Sequence, residues 1–122
     1  MKTATLTGAD LNRAVAMARG HALEQQPRRI GPDSPMVWVV RAGDGGLYEL
    51  PNYAGDIAVA WPIMKEHKID LEYQKNGIWA GCEACMNRYG GGEYALGNDD
   101  DPQIAAMRCF VASVYGDDVE LP

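Results

Sequence analysis

Histidine is scarce in this chain of 122 residues, with two copies, and cysteine occurs three times. A structural zinc site needs four nitrogen or sulfur ligands at short paired spacings. Outside Cys82-Glu83-Ala84-Cys85, only Cys109, His21 and His67 remain, at no such spacing, so no metal site is expected. Long apolar runs are missing as well. None approaches the roughly 20 residues that cross a bilayer, and the opening MKTATLTGAD has no signal-peptide core. With an odd cysteine count, this points to a reducing cytoplasm. Positive charge is also in short supply: 11 Lys and Arg stand against 17 Asp and Glu, a net charge of -6. A general DNA- or RNA-binding surface is therefore not expected, because phosphate backbones are held by clustered cations. Finally, there is no Gly-x-Ser-x-Gly, no phosphate loop and no His pair set among carboxylates, so neither an enzyme nor a cofactor is expected.

What is present describes one folded domain, residues 1–122, at 47% hydrophobic and 23% charged residues. Its most informative stretch is DPQIAAMRCFVASVYG. Asp101 suits an N-cap, Pro102 the first helical position and Gly116 the stop, which predicts a helix over 102–115. Ile104, Met107, Val111 and Val114 form an apolar stripe. Ala105, Cys109, Ala112 and Ser113 form a face of small residues that admits a close backbone. Arg108 interrupts this apolar helix. A guanidinium so placed needs carboxylate, carbonyl or phosphate partners, either inside the fold or on a ligand.

The first helix is expected over 8–19. Thr7 and Asp10 resemble a capping box with Asp in place of Glu, Leu6 and Leu11 a hydrophobic staple, and Gly20 the end. Residues 20–35 then read as a long Pro-containing loop carrying Arg28 and Arg29, two guanidiniums suited to an anion. Met36–Arg41 is a continuous apolar run, expected as a central strand covered on both faces, with a hairpin returning through Leu47–Leu50. Asp56 caps a second helix to His67, kinked by Pro62, with Trp61 and Met64 on the Ile57 side toward the core. His21 and His67 read as partners of helix C-terminal dipoles.

Asn76-Gly77 predicts a two-residue hairpin turn pairing Lys75 with Ile78, Tyr73 with Ala80 and Leu71 with Cys82. In that register Cys82 shares a face with Leu71 and Tyr73, as a buried thiol. Residues 87–101 read as a second long loop, with Gly90–Gly92 flanked by Arg88, Tyr89 and Tyr94. Residues 117–122 read as a tail that adds an edge strand. The fold expected is α+β: an antiparallel sheet of two hairpins packed with three helices. The small-residue face of the last helix, short of partners in so small a chain, predicts a homo-oligomer, most simply a two-fold dimer.

The blocks PQIAAMRCFVASVYGDDVELP, NYAGDIAVAWPIMKEHKI and LTGADLNRAVAMARG resemble the NinX-like family of small tailed-phage and prophage proteins. YAGDIAVAWPIM also resembles the phage ABA sandwich domain, with Ala54-Gly55 standing where that domain has Ser-Thr. The resemblance implies a phage accessory product acting in the bacterial cytoplasm and an α/β sandwich, and it assigns no catalytic residues. With it, the expected function is non-catalytic counter-defence: sequestering a phosphate-bearing, nucleotide-derived signal. The anion partners expected are Arg28, Arg29, Arg88 and Arg108, with stacking by Trp38, Trp61, Trp79, Tyr89 or Tyr94. The alternative is a protein that binds and inhibits or adapts a host defence protein.

Overall fold

The structure is a computed structural model that describes residues 1–28, 33–41, 43–76, 79–87 and 95–122, with backbone alone for 74–76, 79 and 80. Three helices and two three-stranded antiparallel sheets form an α+β fold. The helices are α1 (Gly8–Ala18), α2 (Ile57–Glu66) and α3 (Pro102–Tyr115). One sheet joins β1 (Ala22–Pro27), β2 (Met36–Arg41) and β3 (Leu47–Glu49) in that order, and the other joins β4 (Asp70–Asn76), β5 (Trp79–Met86) and β6 (Ala95–Asp99). No helix among the described residues is long and apolar enough to cross a membrane.

Helix α3 lies at the centre, with β5 and β6 on one side and α1 and α2 on the other. Its local chemistry explains its limits. The Asp101 carboxylate accepts hydrogen bonds from the N–H groups of Gln103 (2.8 Å) and Ile104 (3.4 Å). Gly116 ends the helix at φ 74°, ψ -145°, a region that essentially only glycine adopts. Asp101→Ala is expected to cost about 1 kcal/mol, the usual value of an N-cap, measured by urea denaturation. Ala105, Ala106, Met107, Cys109 and Val111 are fully buried, whereas Val114, at the far end of the predicted stripe, is half exposed.

The small-residue face of α3 is covered from within the chain. Gly97 of β6 sits so close that a Cβ there would overlap the Ala105 carbonyl oxygen and the Cys109 amide nitrogen. The predicted close approach exists, but its partner is β6, so this face gives no reason for a second subunit. Strand β6 itself lies inside the segment 87–101 predicted as loop. It has a single large apolar residue, Leu96, and its pairing with β5 rather than any period in the sequence makes it a strand.

Strand β1 likewise falls in the predicted loop 20–35. Half of its residues are polar and none is fully buried, and its ladder to β2 supplies the order that the sequence pattern does not. Pro27 is tolerated because β1 is an edge strand. Strand β2 is central, as expected, but only Val39 and Val40 are buried, and Met36 is exposed, so it is not covered along its length.

Three local expectations are corrected. Thr7 is the N-cap of α1 but makes no side-chain cap bond; the shorter Asp10 carboxylate instead takes Arg13 at 2.6 Å. The staple residues Leu6 and Leu11 are fully buried. In α2 the inward face runs through Ala60, Ile63 and Met64, so Ile57 and Trp61, one turn apart on another stripe, are about half exposed rather than core. The β4–β5 ladder pairs Asn76 with Trp79, Tyr73 with Cys82 and Leu71 with Ala84. Asn76 is thus the last paired residue of β4 rather than a turn residue, and residues 77–78, on which the expected turn falls, lie outside the described residues. The slip is two residues along the partner strand, which preserves which side chains share a face. Cys82 is accordingly fully buried, and desolvation is the main cause that raises its thiol pKa.

Candidate functional site

Arg108 projects from the middle of α3 toward the outer side of β6, where the two chain ends also meet. Its side chain is 8% exposed. Nε donates to the Leu6 carbonyl at 2.8 Å, and Nη1 donates to the Asn98 carbonyl at 2.6 Å and to Asp99 Oδ1 at 3.1 Å. Three of the five guanidinium hydrogens are therefore committed inside the fold. Nη2 has no protein partner among the described residues. Arg108 also lines a cavity.

That cavity measures about 340 Å³. It lies between the N-terminal segment, through Lys2 and Thr3, the β6 residues Gly97 and Asn98, and Arg108 and Asp117. Its outer wall is built by an antiparallel bridge between Lys2 and Asp118. Thr3 N–H donates to the Asp117 carbonyl (2.9 Å), Thr3 Oγ1 donates to the Gly116 carbonyl (2.8 Å) and the N-terminal ammonium donates to the Val119 carbonyl (2.9 Å). The tail thus pairs with the N-terminus, a reduced form of the edge strand expected there. Lys2 meets Asp118 at 3.1 Å, but both side chains are about two-thirds exposed, so the pair adds little stability.

The other expected site residues do not gather here. Arg28 is exposed and lies 3.8 Å from Glu49, on the β1–β3 sheet. Trp61 stands on the outer face of α2. One face of Trp38 is taken by the Arg13 guanidinium, 5.0 Å from the ring centre. Arg29, Arg88, Tyr89 and Tyr94 lie outside the described residues, as does the Trp79 side chain. His67 caps α2 with its ring 4.7 Å from that of Phe110. Among the described residues no three His, Cys, Asp or Glu come together as a metal-binding group. Lys2, Thr3 and Asp117, which line the cavity, carried no signal in the sequence, because only the pairing of the termini sets them opposite Arg108.

Comparison with known proteins follows the same outline. No curated protein matches the chain. Among solved structures, the fold is similar to that of a phage protein from Bacillus cereus ATCC 14579, at 20% identity and a TM-score of 0.56, covering 100% of this chain and 93% of that one. Residues 2–114 match the family model described as Bacteriophage P22, NinX, and the chain belongs to that family.

Proposed function

We propose that this protein is a non-catalytic phage accessory binder that sequesters a phosphate-bearing, nucleotide-derived signal of host defence in the bacterial cytoplasm. The observation that carries this reading is the cavity lined by both Lys2 and Arg108. Its volume falls at the lower end of the range for small-molecule sites, about 300–1,000 Å³. A guanidinium already fixed by three internal acceptors presents its remaining donors without further loss of side-chain freedom, which favours binding through preorganisation. The net charge of -6 does not oppose this at contact range, since charges beyond about 8 Å are screened at physiological salt.

The test is a thermal-shift panel of linear and cyclic nucleotides. A true ligand at 100 times its dissociation constant is expected to stabilise the fold by about 2.7 kcal/mol, and to be recovered chemically unchanged. Lys2→Ala should remove most of that shift while leaving the melting point of the free protein close to the parent's, because the Lys2–Asp118 pair is exposed. A panel without any shift defeats the proposal.

A second reading, binding to a host or phage protein, draws on β4. Tyr73 is 74% exposed and Leu71 41% exposed on the sheet face that α3 covers mainly over β5 and β6, and β4 is an edge strand. A homodimer, if formed, has these residues rather than the small-residue face of α3 available to it. Recovery of one stoichiometric protein from infected cells, together with a silent nucleotide panel, selects this reading.

A further inference from the structure

A second cavity, of about 250 Å³, opens beside the first and is lined by Ala95, Leu96, Ala112, Gly116 and Asp117. Leu96, Ala112 and Asp117 line both. The two compartments differ in chemistry. The first has the cations Lys2 and Arg108 on its wall, whereas the second, Asp117 apart, is lined by glycine and apolar side chains. Resting on the phosphate-binding reading above, we infer that they form one site with a direction: phosphate at the Lys2–Arg108 end, nucleoside between Leu96, Ala112 and Gly116.

Asp117 is common to both compartments. It is exposed, and its carboxylate has no hydrogen-bond or ion-pair partner among the described residues; only its backbone carbonyl is engaged, by Thr3. A carboxylate repels phosphate at contact but accepts hydrogen bonds from the hydroxyls of a ribose or the amino edge of a base. Because Asp117 lines both compartments, the direction comes from the cations Lys2 and Arg108, which line the first and not the second. Ala112 lines both compartments, so a longer side chain there would take space from them.

Calorimetric titration of the whole protein with inorganic pyrophosphate, adenosine monophosphate and guanosine monophosphate tests this. The parent protein should bind a nucleotide roughly tenfold or more tightly than pyrophosphate, as expected when an additional pocket is filled. Ala112→Leu, on a wall of both compartments, should lower nucleotide affinity by about tenfold and pyrophosphate affinity distinctly less, since the smaller anion does not need the second compartment. Asp117→Asn, an exposed and nearly isosteric change, should weaken the nucleotide and strengthen pyrophosphate, because a repelling charge is gone. Equal binding of all three probes, with neither variant separating nucleotide from pyrophosphate, overturns the two-compartment site while the phosphate-binding reading stands. No binding of any probe overturns both.

Discussion

Gly97→Ala is expected to cause the largest loss of stability among alanine substitutions at the glycines whose surroundings are described. The new Cβ would overlap two backbone atoms of α3, the Ala105 carbonyl oxygen and the Cys109 amide nitrogen. Neither is the end of a flexible side chain, so relief requires the whole helix to lift from β6. Overpacking a core costs about 1–3 kcal/mol where side chains can adjust, and more where they cannot. At about 3 kcal/mol a domain of this size melts roughly 10 °C lower, and the substitution is therefore expected to give either that shift or insoluble protein. Gly43→Ala is the control. A Cβ there meets nothing within 4 Å, and its effect should stay within about 0.5 kcal/mol. A Gly97→Ala melting point equal to the parent's would show that α3 does not rest on β6 as described.

Arg108→Met should be nearly as damaging, for an electrostatic reason. Removing the guanidinium strands the Leu6 and Asn98 carbonyls and takes the cationic partner from Asp99, whose side chain is 27% exposed. Breaking a buried ion pair by deleting one partner costs about 3–5 kcal/mol, and the partial exposure of Asp99 puts this case near the lower figure. Arg108→Lys should recover only part of the loss, because one ammonium cannot reach three acceptors arranged around a planar fork. Denaturant unfolding of the three proteins checks the order parent, Lys, Met. A Met variant as stable as the parent would mean that Arg108 is held for a ligand alone. This experiment also separates the two demands on the residue, since Lys2 tests binding without touching the internal network.

Legibility in the sequence followed the range of the interactions involved. The helices were readable because caps, stops and a 3.6-residue period act within a few residues: Asp56 and Asp101 cap α2 and α3 through their own carboxylates. Arg108 was readable as an anomaly because a charge in an apolar helix must be answered somewhere. The face of Cys82 was readable because strand periodicity survives a two-residue slip in pairing.

Tertiary structure decided what depends on contacts distant in sequence. Strands β1 and β6 have little apolar pattern, and each is a strand because a neighbour offers it a ladder. The outward turn of Trp61 was decided by where α2 rests, since its helix carries apolar residues on more than one stripe. The partners of Arg108 come from positions 6, 98 and 99, and the cavity beside it from the two ends of the chain. The sequence by itself determined that this arginine required partners and that α3 required a backbone against its small face. Which partners and which backbone were set by the packing of β6 and the pairing of the termini, because hydrogen bonds and steric fit depend on distance in space and not on distance along the chain.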